Sequence, residues 1–177
     1  DAKSPARAVK GVALLPGSGE YALATTPANM RFFLGFTRPA NINSASGSTD
    51  FITSLSQLRG QLPEAKATSL VVSWFGNDLR CGTCTLRPTV AQKTYEAVNM
   101  SWQVSGISRS AARLVPRDER NREAYGGTPT DQSVIEAIKA LRNAGKEVLY
   151  YPFILMDQTA GNQLPDPYGR EAQPVFP

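Results

Sequence analysis

Two runs in this chain are apolar on both faces, and each ends in a carboxylate. The first lies within residues 68–84, TSLVVSWFGNDLRCGTC, where Leu70-Val71-Val72 leads into Trp74-Phe75 and stops at Gly76-Asn77-Asp78. A β-branched run without polar alternation reads as a buried parallel strand rather than a half-wet antiparallel one. The second, EVLYYPFILMD over residues 147–157, has the same character. Pro152 in its middle removes one ladder donor, and a bulge there is the expected remedy. In α/β sheets the residues just past the carboxyl ends of the strands build the sites, which singles out Asn77, Asp78 and Asp157. The other reading of Gly76-Asn77-Asp78 is a turn that uses these residues for their backbone freedom, with Asp78 pairing with Arg80. On local sequence both readings stand.

Each strand follows a helical pattern. Asp50 opens the first helix, with Ser48 or Asp50 as its cap; Ile52, Leu55, Leu58 and Leu62 recur at helical spacing, and Gly60 and Pro63 mark its end. The second reads TPTDQSVIEAIKALRNAGK. Thr128 stands at the cap, Pro129 at the first helical position, and Val134, Ile135, Ile138 and Leu141 form the stripe before Gly145 ends it. Helix, strand, long loop, helix, strand makes a βαβ unit that brings Asp78 and Asp157 to one edge of a parallel sheet.

The connections are long, in keeping with 14 glycines and 13 prolines. Residues 1–10 are polar and basic and read as a surface segment. Val12, Leu14 and Leu15 form a short strand, Pro16-Gly17-Ser18-Gly19 a turn, and residues 21–24 a second extended piece. The Gly-Ser-Gly lacks the Gly-Lys-Ser/Thr of a phosphate loop. Residues 31–34 read as a short strand within a loop-rich stretch. From Cys84 to about Gly127 there is no clear periodicity. Residues 100–104 read as a strand there, and the mixed-sign run 117–122 as a solvated loop. A connection of that length is functional or packed against a neighbour.

Absences narrow the chemistry. The chain has no histidine, so no Ser-His-Asp or Cys-His machinery assembles within it. Its two cysteines, Cys81 and Cys84, are too few for a Cys/His zinc site. The pair has three uses: a redox motif, half of a metal site, or a disulfide. Thr85-Leu86-Arg87-Pro88 does not continue as a helix, which weighs against redox; a disulfide or two structural thiols is preferred, with no metal and no cofactor assigned. The net charge of +4 is spread among interspersed acids and bases and does not argue for nucleic acid. No apolar run reaches the roughly 20 residues of a bilayer span.

VSWFGNDLRCGTC, AYGGTPTDQSVIEAIKALRNAG and YYPFILMD with GNQLPDPYG resemble the barrel region of the baseplate megatron proteins of gene transfer agents and of related siphophages infecting alphaproteobacteria. LPGSGEYALAT resembles the segment that precedes that barrel, so the likeness runs from about Gly11 onward. The resemblance implies a TIM-barrel domain similar to glycoside hydrolases within a longer tail-tip protein. It also implies a place in the virion, with hub and distal tail proteins as partners and self-association in a trimeric tip. The fold expected is therefore α/β: an extended/β segment and linker over residues 1–47, then part of a TIM-barrel-like region over 48–177. A TIM barrel takes about 250 residues, only two barrel strands are clear, and the chain opens at Asp1 without Met. It is expected to be one piece of a larger polypeptide whose open edges are covered by the remainder or by neighbours.

Two function classes follow. One is a tail-tip component whose barrel-like domain binds host surface glycan or packs in the particle, with Trp74, Asn77, Asp78 and Asp157 as glycan-facing residues. The other is a glycosidase acting on capsule, lipopolysaccharide or peptidoglycan sugars. That chemistry needs two carboxyls, about 5–5.5 Å apart for retention or about 6.5–9.5 Å for inversion. Asp78 and Asp157 are the best pair, with Asp166 and Glu171 as spares. Neither strand ends in Glu, and the structural class is preferred.

Overall fold

The computed structural model describes residues 4–32, 35–118 and 120–175. In chain order the elements are α1 (Pro5–Ala8), β1 (Gly11–Leu14), β2 (Asn29–Arg31), β3 (Thr37–Pro39), α2 (Asp50–Gln61), β4 (Ala67–Gly76), β5 (Leu86–Arg87), β6 (Thr89–Val90), β7 (Gln103–Val104), β8 (Ile107–Ser108), β9 (Arg113–Leu114), α3 (Asp131–Asn143) and β10 (Glu147–Met156).

β4 is the centre of the main sheet. β1 runs parallel along its first four residues, from Gly11 opposite Ala67 to Leu14 opposite Leu70. β10 runs parallel along its whole length, from Glu147 opposite Ala67 to Met156 opposite Gly76. Three parallel strands thus stand where two were clear from sequence, and the first of them, β1, lies within the segment 1–47. Because β10 fills one side of β4, the short antiparallel β5 takes the other side beyond β1, with Arg87 opposite Phe75.

Successive strands step across the sheet in one direction, β1-β4-β10. Their helices cover one face. Leu70 and Val72 of β4 pack in one cluster with Phe51 and Leu55 of α2 and with Val134, Ala137 and Leu141 of α3. Alternation places Leu70 and Val72 on the same side of the strand, so both crossovers lie on that side. One-sided winding with sequential neighbours is common to a βαβαβ half of a doubly wound sheet and to a stretch of a barrel. Among the described residues the sheet is open and does not close. The molecule is a mixed α/β protein with a small parallel sheet.

The helices differ from expectation at their starts. Thr49, neither Ser48 nor Asp50, caps α2, its Oγ1 accepting from the Ile52 N–H at 3.3 Å. Such a cap contributes about 1 kcal/mol. α2 passes through Gly60 to Gln61, and its buried residues are Phe51, Leu55 and Leu58. α3 begins at Asp131, with Thr130 and not Thr128 at the cap position. The Thr130 hydroxyl is already engaged with the backbone of Gln103, accepting from its N–H and donating to its C=O. Ile135 of the expected stripe is exposed, and Ala137 takes its place in the core. Gly145, at φ 71°, closes α3 as expected, with its N–H on Arg142 and the next N–H, of Lys146, on Leu141.

The stretch from Cys84 to Gly127 is a second small lobe. Trp102, Met100, Val104, Val90, Ala97 and Ala112 pack there with Tyr21, Ala24 and Ala28 from the N-terminal excursion. Three two-stranded ladders brace the excursions: β2 with β3, β6 with β9, and the hairpin β7–β8. The hairpin turns on Ser105 and Gly106, both at positive φ, the backbone a tight two-residue loop requires. Of the strand read over residues 100–104, only Gln103–Val104 forms one. Residues 21–24 make a buried turn and not an extended piece, with Ala22 bonded to Gly19 and Ala24 to Tyr21. Of the strand read over residues 31–34, Arg31 ends β2 and residues 33–34 lie outside the described residues.

No bulge forms at Pro152. The Glu147 N–H reaches the carbonyl of Lys66, the residue before β4, at 2.8 Å and the Asp157 N–H reaches that of Gly76 at 2.8 Å. With period-two alternation, odd-numbered residues of β10 point their N–H groups at β4 and even-numbered ones point to the open edge. Pro152 is even, so the donor it lacks faces outward, where proline is tolerated. β10 is apolar as read, but it is not buried: Leu149, Tyr150, Tyr151 and Ile154 are 65%, 42%, 46% and 39% exposed.

Gly126 sits where the backbone of Ser18 and Gly19 crosses it, and a Cβ there would run into the Ser18 carbonyl. The glycine-rich turn and the Gly126-Gly127 pair therefore lie backbone against backbone beneath β4. Gly126→Ala is expected to cost about 1–3 kcal/mol, the usual penalty of overpacking, read as a lower midpoint in urea denaturation with unchanged slope.

Candidate site at the carboxyl edge of the sheet

The register sets Gly76 and Met156 side by side, so Asn77-Asp78 and Asp157-Gln158 leave the sheet at the same edge. They leave it for different environments.

Asp78 is 4% exposed and fully engaged. Its Oδ1 accepts from the Arg80 N–H at 2.9 Å, from Arg80 Nε at 3.0 Å and from Gln173 Nε2 at 2.7 Å. Its Oδ2 accepts from Arg80 Nη2 at 2.7 Å and from the Thr83 hydroxyl at 2.6 Å. A carboxylate offers about four lone-pair positions, so none is left for a substrate. The Arg80 hydrogen bonds, followed by that of Thr83, hold its carboxyl well below the ordinary range. The turn reading, with Asp78 on Arg80, describes this residue. Asn77 is likewise spent on the loop, its Oδ1 accepting from the Thr85 N–H at 2.7 Å.

Asp157 is nearly as buried, yet its carboxylate forms no hydrogen bond among the described residues. Its nearest cation is Arg113, with Nη2 3.5 Å from Oδ2. Burial pushes the carboxyl above its ordinary range, and the charges of Arg113 and Arg87 oppose this only in part. Of the two aspartates at this edge, Asp157 is therefore the one with spare acceptor capacity.

Trp74 does not join them. It projects from the helix-covered face, half-buried between the two apolar clusters, and its Nε1 donates to the Tyr150 hydroxyl at 2.9 Å. Phe75, on the opposite face, is core. Of the spares, Asp166 is held in a local turn, accepting from the Tyr168 N–H at 2.9 Å, and Glu171 is exposed. Cys81 and Cys84 stand as free cysteines, with no bridge between them. The Arg80 carbonyl accepts from the N–H groups of Thr83 and Cys84, winding CxxC into one turn whose Cys84 sulfur lies against Gly76. No group of three or more His, Cys, Asp or Glu residues among those described is placed to hold a metal.

Two features carried no sequence signal. Gln173, near the end of the chain, takes the Leu79 N–H on Oε1 at 3.0 Å and the Gln158 amide at 3.2 Å, besides donating to Asp78. It ties the 158–173 segment to the end of β4. The other is a buried ionic cluster in the second lobe. Arg109 Nη2 donates to Glu20 at 2.6 Å and to the Tyr21 hydroxyl at 2.9 Å, and Tyr21 in turn donates to Glu96 at 2.6 Å. The guanidinium lies 5.9 Å from the ring centres of both Tyr21 and Trp102. Burial raises Glu20 despite Arg109; burial would lower Arg109, but Glu20, with Tyr21 and Glu96, more than offsets it. Every member is occupied by another, as in a structural pin.

At the carboxyl edge, a cavity of about 730 Å³ opens between residues 116–118, Arg120 and Arg122 on one side and residues 158–160 on the other. Arg117, Arg120, Arg122, Gln158 and Thr159 line it. Among the described residues no helix is long and apolar enough to cross a membrane. No protein-family model matches the chain, and no curated protein sequence matches it.

The two aspartates are expected to respond oppositely to amidation. Asp78, with its folded-state pKa depressed, stabilises the fold above its unfolded value near 4, and that stability is lost as pH falls toward the folded value. Asp78→Asn should lower Tm at pH 7, with the deficit shrinking below about pH 4. Asp157, raised by burial, disfavours the fold when charged, so Asp157→Asn should leave Tm at pH 7 unchanged or higher. Thermal melts of both variants from about pH 3 to 8 check this.

Proposed function

We propose that this chain is the barrel-like region of a phage or gene-transfer-agent tail-tip protein, and that the carboxyl edge of its sheet binds host surface glycan without cleaving it. The long stretches that resemble the baseplate megatron proteins support the assignment to a particle. Three parallel strands stepping in one direction, with helices on one face, accord with a portion of a TIM barrel. The observation that carries binding over hydrolysis is the state of Asp78. Retaining and inverting glycosidases both need a second carboxyl able to serve as nucleophile or base. Here the second carboxyl is saturated by Arg80, Thr83 and Gln173. Asp157, with open acceptor sites, suits a sugar hydroxyl.

One observation favours the glycosidase reading: the raised carboxyl of Asp157 has the protonation behaviour of a general acid. Saccharide release decides between them. Particles carrying Asp157→Asn should assemble normally and adsorb less to cells, and wild-type particles should release no reducing sugar from capsule, lipopolysaccharide or peptidoglycan. Release that disappears in Asp157→Asn makes the domain an enzyme. Normal adsorption by the variant makes it scaffold.

The exposed apolar strand bears on the partners. Leu149 and Tyr151 on one face and Tyr150 and Ile154 on the other leave apolar side chains exposed on both sides of β10. In the particle this surface is covered by further barrel elements or by neighbouring subunits, hub and distal tail proteins among them. The 177-residue chain alone is therefore expected to self-associate through these faces in light scattering. A monodisperse monomer with a cooperative melt would count against coverage of this strand.

A further inference from the structure

The CxxC turn beyond β4 joins two free thiols to the anchoring of the sheet edge. The Arg80 carbonyl accepts from the N–H groups of Thr83 at 3.1 Å and Cys84 at 2.9 Å, so residues 81–83 wind one helical turn. Closing a ring between the cysteines needs only this turn, although Thr85-Leu86-Arg87-Pro88 does not extend it. Residues three apart on a helical turn stand side by side, about 5–6 Å between Cβ atoms. A disulfide needs about 3.5–4.5 Å, so the turn must contract by about 1–2 Å to close. Cys81 is exposed and Cys84 half-buried, so a reagent in solution meets Cys81 first.

That contraction acts on what holds the turn in place. The Cys84 sulfur occupies the space that a side chain on Gly76, the last residue of β4, would fill. The second anchor is Asp78, whose Oδ2 accepts from the Thr83 hydroxyl at 2.6 Å. Thr83 lies between the two cysteines, so drawing them together moves the residue that donates. Asp78 in turn holds Gln173 at 2.7 Å, and Gln173 takes the Leu79 N–H at 3.0 Å. A change in the turn is thereby passed to the 158–173 segment.

We propose that Cys81 and Cys84 form a reversible modification site for small-molecule disulfides, and that ring closure releases Thr83 from Asp78 and loosens the 158–173 segment. The Cys81 thiolate attacks one sulfur of the reagent, forming a mixed disulfide and expelling one thiolate. The Cys84 thiolate then attacks the Cys81 sulfur and expels the other. Two protons and two electrons pass to the reagent, which leaves as two thiols. A ring that closes only by contracting its turn is strained, and strained bridges are the readily reduced ones. The site does not depend on the glycan-binding reading.

The test is equilibration of the intact protein with graded ratios of glutathione and glutathione disulfide, read by thiol alkylation, mass spectrometry and amide hydrogen exchange. Oxidising buffer is expected to give a chain lacking two hydrogen atoms, restored in full by excess glutathione. The Leu79 and Gln173 amides should then exchange about tenfold faster, as loss of a charge-assisted hydrogen bond implies. Thr83→Val should show that faster exchange already when reduced. Cys81→Ser, a change at an exposed position, should form no ring and keep the slow exchange. A lasting glutathione adduct on Cys81, a bridged dimer or the absence of reaction overturns ring closure. Closure with exchange unchanged at Leu79 and Gln173 overturns the release of Thr83 from Asp78.

Discussion

β4 satisfies its backbone on both sides and buries both faces, and each other part of the molecule is placed by one of those four requirements. β10 pairs with its full length on one side; β1 and then β5 share the other. α2 and α3 cover one face through Leu70 and Val72. On the opposite face Ser73 donates to the Gly127 carbonyl at 2.8 Å, which draws the 85–130 excursion back beneath the strand. The contact of Gly126 with Ser18 follows from that return. A parallel strand this demanding explains why excursions of such length are retained in a domain with so little regular structure.

The same strand decides the fate of the two aspartates. Asp78 follows Asn77 directly into a turn whose next residues supply an arginine and a threonine, so local sequence neutralises it. Asp157 leaves a strand that has no such partner downstream. Its neighbours Arg113 and Arg87 come from β9 and β5, which approach from other parts of the chain and stop short of hydrogen-bonding it. With Gly76 opposite Met156, the two aspartates leave the same edge one residue out of register, one a structural anion and the other an available one. Burial is similar in the two, 4% and 9% exposed, so the difference lies in hydrogen bonding.

What was legible in sequence follows the same division. The strands β4 and β10, their helices and the shared exit edge could be read because hydrophobic periodicity and Gly145 are local signals. The caps were misplaced by one or two residues because capping chemistry is degenerate. Ser48, Thr49 and Asp50 all carry capping oxygens, and only backbone geometry chooses Thr49. The second lobe was not legible. Its core draws residues from 21–28 and from 90–112, and its ladders are two residues long, too short for any period to register. At the site, Asp78 and Asp157 could be located but not ranked. The ranking depends on Gln173, which lies 95 residues beyond Asp78 and has nothing in its surroundings to mark it.

Pro152 brings fold and function to the same place. On the open edge of β10 the available donors are Val148, Tyr150, Ile154 and Met156, two on each side of the missing one. A second copy pairing antiparallel about the strand's midpoint would set proline against proline and lose the two central bonds together. A parallel strand, as the next step of a barrel, would lose one bond and leave a single carbonyl to a solvent molecule or a side chain. The edge is thus discriminating: it penalises self-pairing more heavily than continuation of the sheet. That is how a strand with Leu149, Tyr150, Tyr151 and Ile154 exposed avoids offering its edge as a template for strand-to-strand aggregation.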